Sequence, residues 1–71
     1  MTMQEKRQVI LEKYENFDNA LKDDTFKYVA EEQMQYQQWY YPTLKQELQY
    51  NFGSLKYFLY YLNEQELELI I

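Results

Sequence analysis

The first residues of the chain place apolar side chains at helical spacing. On a helical wheel of about 100° per residue, the apolar residues that share one narrow stripe are Met3, Ile10, Tyr14, Phe17 and Leu21. Thr2 and Glu5 have the spacing of a capping box, in which each side chain accepts a hydrogen bond from a free backbone amide of the other residue. The pattern predicts a first helix from about Met3 to Leu21.

A second apolar face follows three consecutive N-cap candidates, Asp23, Asp24 and Thr25. The residues on this broad face are Phe26, Val29, Ala30, Met34, Tyr36, Tyr40 and Tyr41. The residues on the opposite, polar side are Tyr28, Glu31, Glu32, Gln35 and Trp39. Because a proline disfavours the helical conformation of the residue before it, the predicted second helix ends before Pro42.

A third helix is predicted to start at Leu44. Thr43 and Gln46 repeat the capping-box spacing at its beginning. Leu48 and Phe52 are expected to face inward. The chain's one glycine, residue 53, is expected to provide the C-cap.

The remaining residues predict a fourth helix and a tail of different character. Ser54 is placed to cap that helix, whose apolar residues at i, i+3, i+4, i+7 spacing are Leu55, Phe58, Leu59 and Leu62. Residues 66–71 alternate polar and apolar side chains before an apolar end, a pattern more typical of a strand. A lone strand has no pairing edge in a helical chain, so an extended tail favours pairing with a second copy or a partner sheet.

These patterns predict a mainly α fold. We expect one small domain over residues 1–71, a bundle of three to four helices whose C-terminal tail is either extended or helical. A chain of 71 residues buries a low share of its surface, and stability at this size is marginal. Neither cysteine nor histidine is present, so disulfides are excluded and a zinc site is not expected. Oligomerisation or partner binding remains as additional support.

Composition and charge indicate the kind of partner. Aromatic residues make up 20% of the chain, and nine residues are tyrosines, whose rings give large contact area at low entropic cost. The formal net charge is −5; residues 1–22 are balanced, so residues 23–71 carry the whole acidic excess. Such a chain repels nucleic acid and anionic membranes and attracts a basic protein surface.

The sequence offers little catalytic chemistry. Without histidine and cysteine, the commonest general base, thiol nucleophile and transition-metal ligands are missing. Ser54 is the only serine and has no imidazole to activate it, and a single glycine cannot form a phosphate-binding loop. We therefore expect no enzyme activity, no catalytic residues, no metal and no cofactor.

Groups of neighbouring carboxylates are the one feature that could bind a cation. These are Asp23/Asp24, Glu31/Glu32 and Glu64/Glu66/Glu68. Such groups can hold Mg²⁺ or perform acid–base chemistry when one member is desolvated, but on short helices they more often complement the helix dipole or solvate the surface. The second interpretation is preferred.

The N-terminal region shows no targeting signal. Its consecutive apolar run is only Val9–Leu11, far shorter than the apolar core of a signal peptide or a membrane span. We expect a cytoplasmic protein without membrane contact.

Two aromatic sets are candidate partner-binding residues. The first is the polar side of the second helix, with Tyr28, Glu31, Glu32, Gln35 and Trp39. The second set, outside the aliphatic stripe of the fourth helix, is Tyr57, Tyr60 and Tyr61. In the alternative interpretation, Trp39 is covered by the later helices and the fourth helix is buried on all sides.

Two functional hypotheses follow. In the first, the chain is a small acidic helical protein that binds a protein partner and regulates or inhibits it. In a sharper form of this hypothesis, its carboxylates take the place of phosphates and block a basic DNA- or RNA-binding surface. Such a chain resembles small phage inhibitors in size and charge alone. In the second, the chain is a structural scaffold or adaptor that forms a homodimer or larger homo-oligomer. The acidic charge weakens the second hypothesis, because like charges repel across the two-fold axis of a homodimer. The same charge favours binding to a basic foreign protein.

Overall fold

Six helices form all the regular structure of the chain, which a computed structural model describes over residues 1–71. They are α1 (Met3–Tyr14), α2 (Phe17–Ala20), α3 (Asp24–Met34), α4 (Leu44–Phe52), α5 (Leu55–Tyr60) and α6 (Glu64–Ile70). No strand is present. The predicted mainly α class is confirmed, with more and shorter helices than the pattern indicated.

The predicted first helix is divided at Glu15 and Asn16. The capping box of Thr2 and Glu5 starts α1 as expected. Glu15 has a φ of 69°, in the left-handed region, which ends α1 after Tyr14. The Asn16 side chain then accepts a hydrogen bond from the amide of Asn19 at 3.0 Å and caps α2. The Asn16 side chain therefore starts a new helix where the pattern predicted a continuous one, because short amide side chains compete with the helix for backbone hydrogen bonds.

The predicted second helix ends early, at Met34. The carbonyl of Met34 accepts hydrogen bonds from the Gln37 amide and from the Trp39 indole N–H, both at 3.1 Å. These bonds replace the helical bond that the amide four residues further along would donate, and the helix ends. The chain from 35 to 43 is irregular. Tyr36, Tyr40 and Tyr41, which the pattern placed on the same broad face as Phe26, are exposed, because the helix that would continue this face has ended.

The third and fourth predicted helices are confirmed as α4 and α5. Thr43 and Gln46 form the complete capping box of α4, and Gly53, with a φ of 81°, ends it. Ser54 lies at the N-cap position of α5 with extended backbone, but its side chain makes no capping hydrogen bond. The predicted capping role of this hydroxyl is therefore wrong.

The C-terminal tail is helical, and the strand-like interpretation of its alternation is wrong. Asn63 and Glu66 form a third capping box, which starts α6. Leu67 and Ile70 are buried, and α6 packs against α1 and α3. The same sequence therefore satisfies an i, i+3 helical pattern once its N-terminus is capped.

Phe58 lies at the centre of the core. Its ring is 5.9 Å from that of Phe17, 5.7 Å from Phe26 and 5.0 Å from Phe52, in edge-to-face arrangements that aromatic pairs favour. The other buried apolar residues are Ile10, Tyr14, Ala20, Val29, Ala30, Met34, Leu48, Leu55, Leu59, Leu62, Leu67 and Ile70. All six helices contribute to this cluster.

Lys6 joins the first helix to the last. Its ammonium group is 2.7 Å from a carboxylate oxygen of Glu68 and 3.8 Å from one of Glu64. The hydrogen bond to Glu68 raises the pKa of Lys6. The single positive charge of Lys6 thus offsets one of the two negative charges that Glu64 and Glu68 carry on α6.

Asp23 fixes the start of α3 through two kinds of contact. One carboxylate oxygen accepts the amides of Thr25 at 2.8 Å and Phe26 at 3.4 Å, and the other accepts the Tyr14 hydroxyl. The bond from Tyr14 lowers the pKa of Asp23. Burial first, and the bond to Asp23 second, raise the pKa of Tyr14.

These shifts predict loss of stability at both ends of the pH scale. Asp23 contributes to the free energy of unfolding above its unfolded pKa of 3.8, and this contribution is lost as pH falls through the lower folded value. Tyr14 contributes below its unfolded pKa of 10.0, and loses that contribution as pH rises through its higher folded value. We expect Tyr14→Phe to cost about 1 kcal/mol near neutral pH.

Urea unfolding measured across the pH scale checks this prediction. The difference between wild type and Tyr14→Phe should shrink as pH falls below 3.8 and through the lowered folded pKa of Asp23, because Asp23 then becomes protonated in both proteins. Tyr57→Phe, which removes an exposed hydroxyl without an internal partner, should follow wild type throughout. A constant difference between wild type and Tyr14→Phe at every pH would contradict the linkage.

Candidate protein-binding surfaces

The outward side of α3 presents carboxylates around one tyrosine. Asp24 precedes Tyr28 by four residues, and Glu31 and Glu32 follow it by three and four, so all lie on adjacent turns of the same side. Phe26, Val29, Ala30 and Met34 occupy the opposite side and are buried, which directs the acidic side outward. We name Asp24, Tyr28, Glu31, Glu32 and Gln35 the α3 acidic face.

The carboxylates of the α3 acidic face have no partner in the chain. All of its residues are exposed. The ion pairs of the protein are Lys6 with Glu64 and Glu68, and Lys45 with Asp18. None involves Asp24, Glu31 or Glu32, and Lys27, the one base on α3, is also unpaired. The face therefore keeps a negative charge that the fold does not neutralise.

Trp39 lies apart from the α3 acidic face, although the sequence predicted both on one helix surface. It belongs to the irregular chain after α3, and its indole is tied to the Met34 carbonyl. The side chain is 42% exposed, so the later helices do not cover it. The helical wheel misplaced this residue because the helix ends five residues before it.

The tyrosines at α5 are all exposed but do not form one set. The Tyr60 ring lies 4.7 Å from the guanidinium carbon of Arg7, which also donates a hydrogen bond to the Leu59 carbonyl at 3.4 Å. Tyr61 instead packs edge-on against Phe52, with ring centroids 4.8 Å apart. Tyr57 makes no ring contact. Burial of α5 on all sides is excluded, and the binding role of these three tyrosines stays a prediction.

Glu47 is a functional candidate that the sequence reasoning missed. It is fully buried, and its carboxylate accepts the backbone amides of Tyr40 and Tyr41 and, at 3.2 Å, the side-chain amide of Asn51. A signal was present: Glu47 lies one turn after Leu44 and beside Leu48, on the inward stripe of α4. An acid at an apolar-stripe position indicates donors nearby, because a buried charge requires hydrogen-bond partners.

Glu47 holds a second aromatic surface in place. The rings of Tyr40 and Tyr41 lie 5.6 and 5.3 Å from that of Tyr50, at interplanar angles of 57° and 58°. We name Tyr40, Tyr41 and Tyr50 the tyrosine cluster. A shallow groove of about 290 Å³ adjoins it, lined by Tyr41, Gln46, Gln49 and Tyr50.

A second groove lies between the end of α3 and the end of α4. Its volume is about 240 Å³, and its lining residues are Gln33, Met34, Gln37, Asn51, Phe52 and Tyr61. Both grooves are lined by carboxamides and apolar or aromatic side chains without a charged group. Neutral ligands therefore match them better than ions do.

Comparison with known proteins gives no relative from which a function could be inferred, so the proposed function is based on the surfaces of the chain. No family model, curated protein or solved structure matches this chain. None of the helices is both long enough and apolar enough to cross a membrane. No group of three or more potential ligand residues is arranged to hold a metal ion.

Proposed function

We propose that this chain is a small acidic binding protein that docks on a basic surface of a protein partner through the α3 acidic face and so regulates or inhibits it. The observation that carries the proposal is the set of unpaired carboxylates around the exposed ring of Tyr28. Other acids are already engaged: Glu64 and Glu68 pair with Lys6, and Asp18 lies 2.7 Å from Lys45.

The two parts of this face have different roles in binding. The carboxylates attract a basic partner over several ångströms and raise the association rate, an effect that salt screens. The Tyr28 ring supplies contact area, since a buried tyrosine removes roughly 150–250 Å² from water with only two side-chain torsions to order. No internal ion pair has to break first, which keeps the cost of docking low.

A sharper form of the proposal is nucleic-acid mimicry. Neighbouring side chains on successive helical turns have Cβ atoms roughly 5–6 Å apart, so α3 holds the Cβ atoms of its acidic residues in a fixed row. Asp23 caps the helix, and buried Phe26 and Met34 anchor its two ends, so the row is rigid. Such a row can replace backbone phosphates on the basic site of a DNA- or RNA-binding protein. Direct nucleic-acid and membrane binding are not part of the proposal.

The proposal is for a binding protein without enzymatic activity. The chain has no histidine or cysteine, and its one serine hydroxyl, on Ser54, makes no hydrogen bond. The grooves are shallow, whereas catalytic pockets enclose most of their ligand. Cofactor-independent partner binding needs none of these features.

Reversing charge on α3 tests the proposed face. We expect Glu31→Lys/Glu32→Lys to slow association with the partner about tenfold or more at low salt, because the attraction becomes repulsion. The fold should persist, since both side chains are exposed and unpaired. Capture from a lysate of the source organism supplies the partner, and surface plasmon resonance at several salt concentrations measures the association rate.

A comparison of single substitutions provides the control: Glu12→Lys is matched to Glu31→Lys, since each reverses one charge. Glu12 is also exposed and free of ion pairs but lies on α1, so its reversal should change the association rate little beyond the effect of net charge. Equal effects of the two single substitutions would remove α3 from the interface. For mimicry, the captured partner should lose bound DNA or RNA as wild-type protein is added, and simultaneous binding of both would contradict it.

Self-association is a second candidate function, favoured by Leu69 and Ile71. Their aliphatic side chains remain 60% and 42% exposed on the outer side of the C-terminal helix and at the chain end. A homo-oligomeric scaffold would bury them. Sedimentation equilibrium over a wide concentration range decides between the candidates, because a scaffold predicts an oligomer without any partner.

A further inference from the structure

The tyrosine cluster borders an uncharged groove on a strongly acidic protein. Its groove of about 290 Å³ is lined by Tyr41, Gln46, Gln49 and Tyr50, with no acid or base among them. The chain as a whole carries a formal charge of −5. The α3 acidic face and this groove therefore differ in the chemistry they offer, and the groove fits a neutral segment of a ligand.

The three rings of the tyrosine cluster form one exposed aromatic surface. Tyr40 and Tyr41 both lie against Tyr50, each tilted by close to 60° relative to its ring. All three side chains remain exposed. Exposed aromatic rings at the edge of a groove give a flat, rigid apolar group such as a pyrrolidine ring a surface to pack against.

This surface is held in place before any ligand arrives. The buried carboxylate of Glu47 accepts the amides of Tyr40 and Tyr41, which fixes the backbone that carries two of the rings. The bond from Trp39 to the Met34 carbonyl ties the same segment to the end of α3. A surface ordered in advance loses less conformational entropy on binding.

The polar side-chain groups around the tyrosine cluster are free to donate hydrogen bonds to a ligand. The hydroxyls of Tyr40, Tyr41 and Tyr50 and the side-chain amide of Gln49 are exposed and make no hydrogen bond within the chain, so each can both donate and accept. The Gln46 side-chain oxygen is occupied by Thr43, which leaves its NH₂ group available. A ligand rich in unpaired acceptors suits this inventory.

We propose that the tyrosine cluster and its groove bind a proline-rich segment of a partner protein in the polyproline II conformation. Such a segment has carbonyl acceptors without internal hydrogen bonds, and its prolines have no N–H to satisfy. The proline rings of such a segment pack against aromatic side chains, and its preformed polyproline II helix loses little conformational entropy on binding. Basic residues flanking the prolines are favoured because the surrounding protein is acidic. This site is independent of the α3 acidic face.

The test uses a synthetic peptide with two Pro-X-X-Pro repeats flanked by arginine. A second peptide of the same length and charge, with every proline replaced by alanine, is the control ligand. Trp39, the only tryptophan, adjoins Tyr40 and reports binding by fluorescence, and amide shifts in NMR spectra locate the peptide. We expect saturable binding of the proline-rich peptide, with shifts concentrated at residues 39–41 and 46–50, and binding at least about tenfold weaker for the control peptide.

Two matched variants locate the site. Tyr50→Ala should weaken binding about tenfold, because Tyr50 contacts both other rings. Tyr36→Ala removes a tyrosine that is 90% exposed and belongs to neither proposed surface, and should leave the affinity unchanged. Tyr50→Phe retains the ring and should weaken binding only a few-fold, which keeps the test valid if Tyr50→Ala unfolds.

Three results would overturn the proposal: no saturable binding of the proline-rich peptide up to about 1 mM, equal affinity for the proline-free peptide, or equal losses in Tyr50→Ala and Tyr36→Ala. Glu31→Lys/Glu32→Lys should bind the peptide with little change apart from the weaker attraction of its arginines. Failure of the groove and failure of the α3 acidic face are thereby distinguishable.

Discussion

Replacing Phe58 by alanine is expected to remove a large share of the free energy of unfolding and to lower the melting temperature markedly. The ring of Phe58 contacts those of Phe17, Phe26 and Phe52, at centroid distances of 5.0–5.9 Å. Truncating a fully buried phenylalanine costs about 3–5 kcal/mol, from lost burial and from the cavity left behind. At about 0.05–0.15 kcal/mol per residue, a chain of 71 residues has only about 4–11 kcal/mol in total. One side chain thus accounts for a large share of the stability.

Thermal and urea unfolding, followed by circular dichroism, measure this loss. The neighbouring substitution Tyr57→Ala is the control, because it removes an exposed ring on the same helix and should change the free energy of unfolding by less than about 0.5 kcal/mol. Phe58→Leu retains most of the buried volume and should cost much less than Phe58→Ala. Cooperative unfolding of Phe58→Ala at the wild-type temperature would show that the four rings do not form the centre of the core.

The sequence predicted the elements whose determinants are local. Thr43 and Gln46 lie three residues apart and bond to each other, so their capping box could be recognised without any tertiary information. The inward position of Phe58 follows from a helical period that α5 retains. Both features depend on residues within one or two turns of each other.

The elements that could not be predicted depend on competition between alternatives. The first helix breaks at Glu15, since the Asn16 side chain caps a new helix in place of continuing the old one. The tail forms α6 because the capping box of Asn63 and Glu66 favours helix and buries Leu67, whereas its alternating pattern also satisfies a strand. The pattern permits both outcomes, and packing against α1 and α3 selects one.

The candidate surfaces show the same division. Tyr28, Glu31 and Glu32 are one helical turn apart, so their shared exposure followed from spacing alone. The position of Trp39 did not, because it depends on a hydrogen bond from the indole to a helix-end carbonyl. The tyrosine cluster joins residues from the irregular chain and α4, and only the tertiary fold brings them together.

Glu47 is expected to control whether the chain after α3 stays attached to the bundle. Its carboxylate is the acceptor for the amides of Tyr40 and Tyr41, and hydrogen bonds to a charged group contribute about 1.5–3 kcal/mol each. Glu47→Ala removes the acceptor and leaves a cavity; we expect a loss of about 2–4 kcal/mol. Glu47→Gln keeps the shape of the side chain but removes its charge. It also places the new NH₂ group next to the NH₂ group of Asn51, which thereby loses the carboxylate oxygen as an acceptor, so the free energy of unfolding should fall by about 1–2 kcal/mol.

The loss should be local before it is global, because the core around α1, α3 and α6 does not include the carboxylate of Glu47. Hydrogen exchange at the amides of Tyr40 and Tyr41 should accelerate about tenfold or more in Glu47→Gln, and further in Glu47→Ala, while buried amides of α3 remain protected. Glu31→Gln, which neutralises an exposed acid, should leave all of these rates unchanged. Unchanged protection of both tyrosine amides in Glu47→Ala would mean that other contacts hold the segment, and the tyrosine cluster would then not depend on a buried carboxylate for its order.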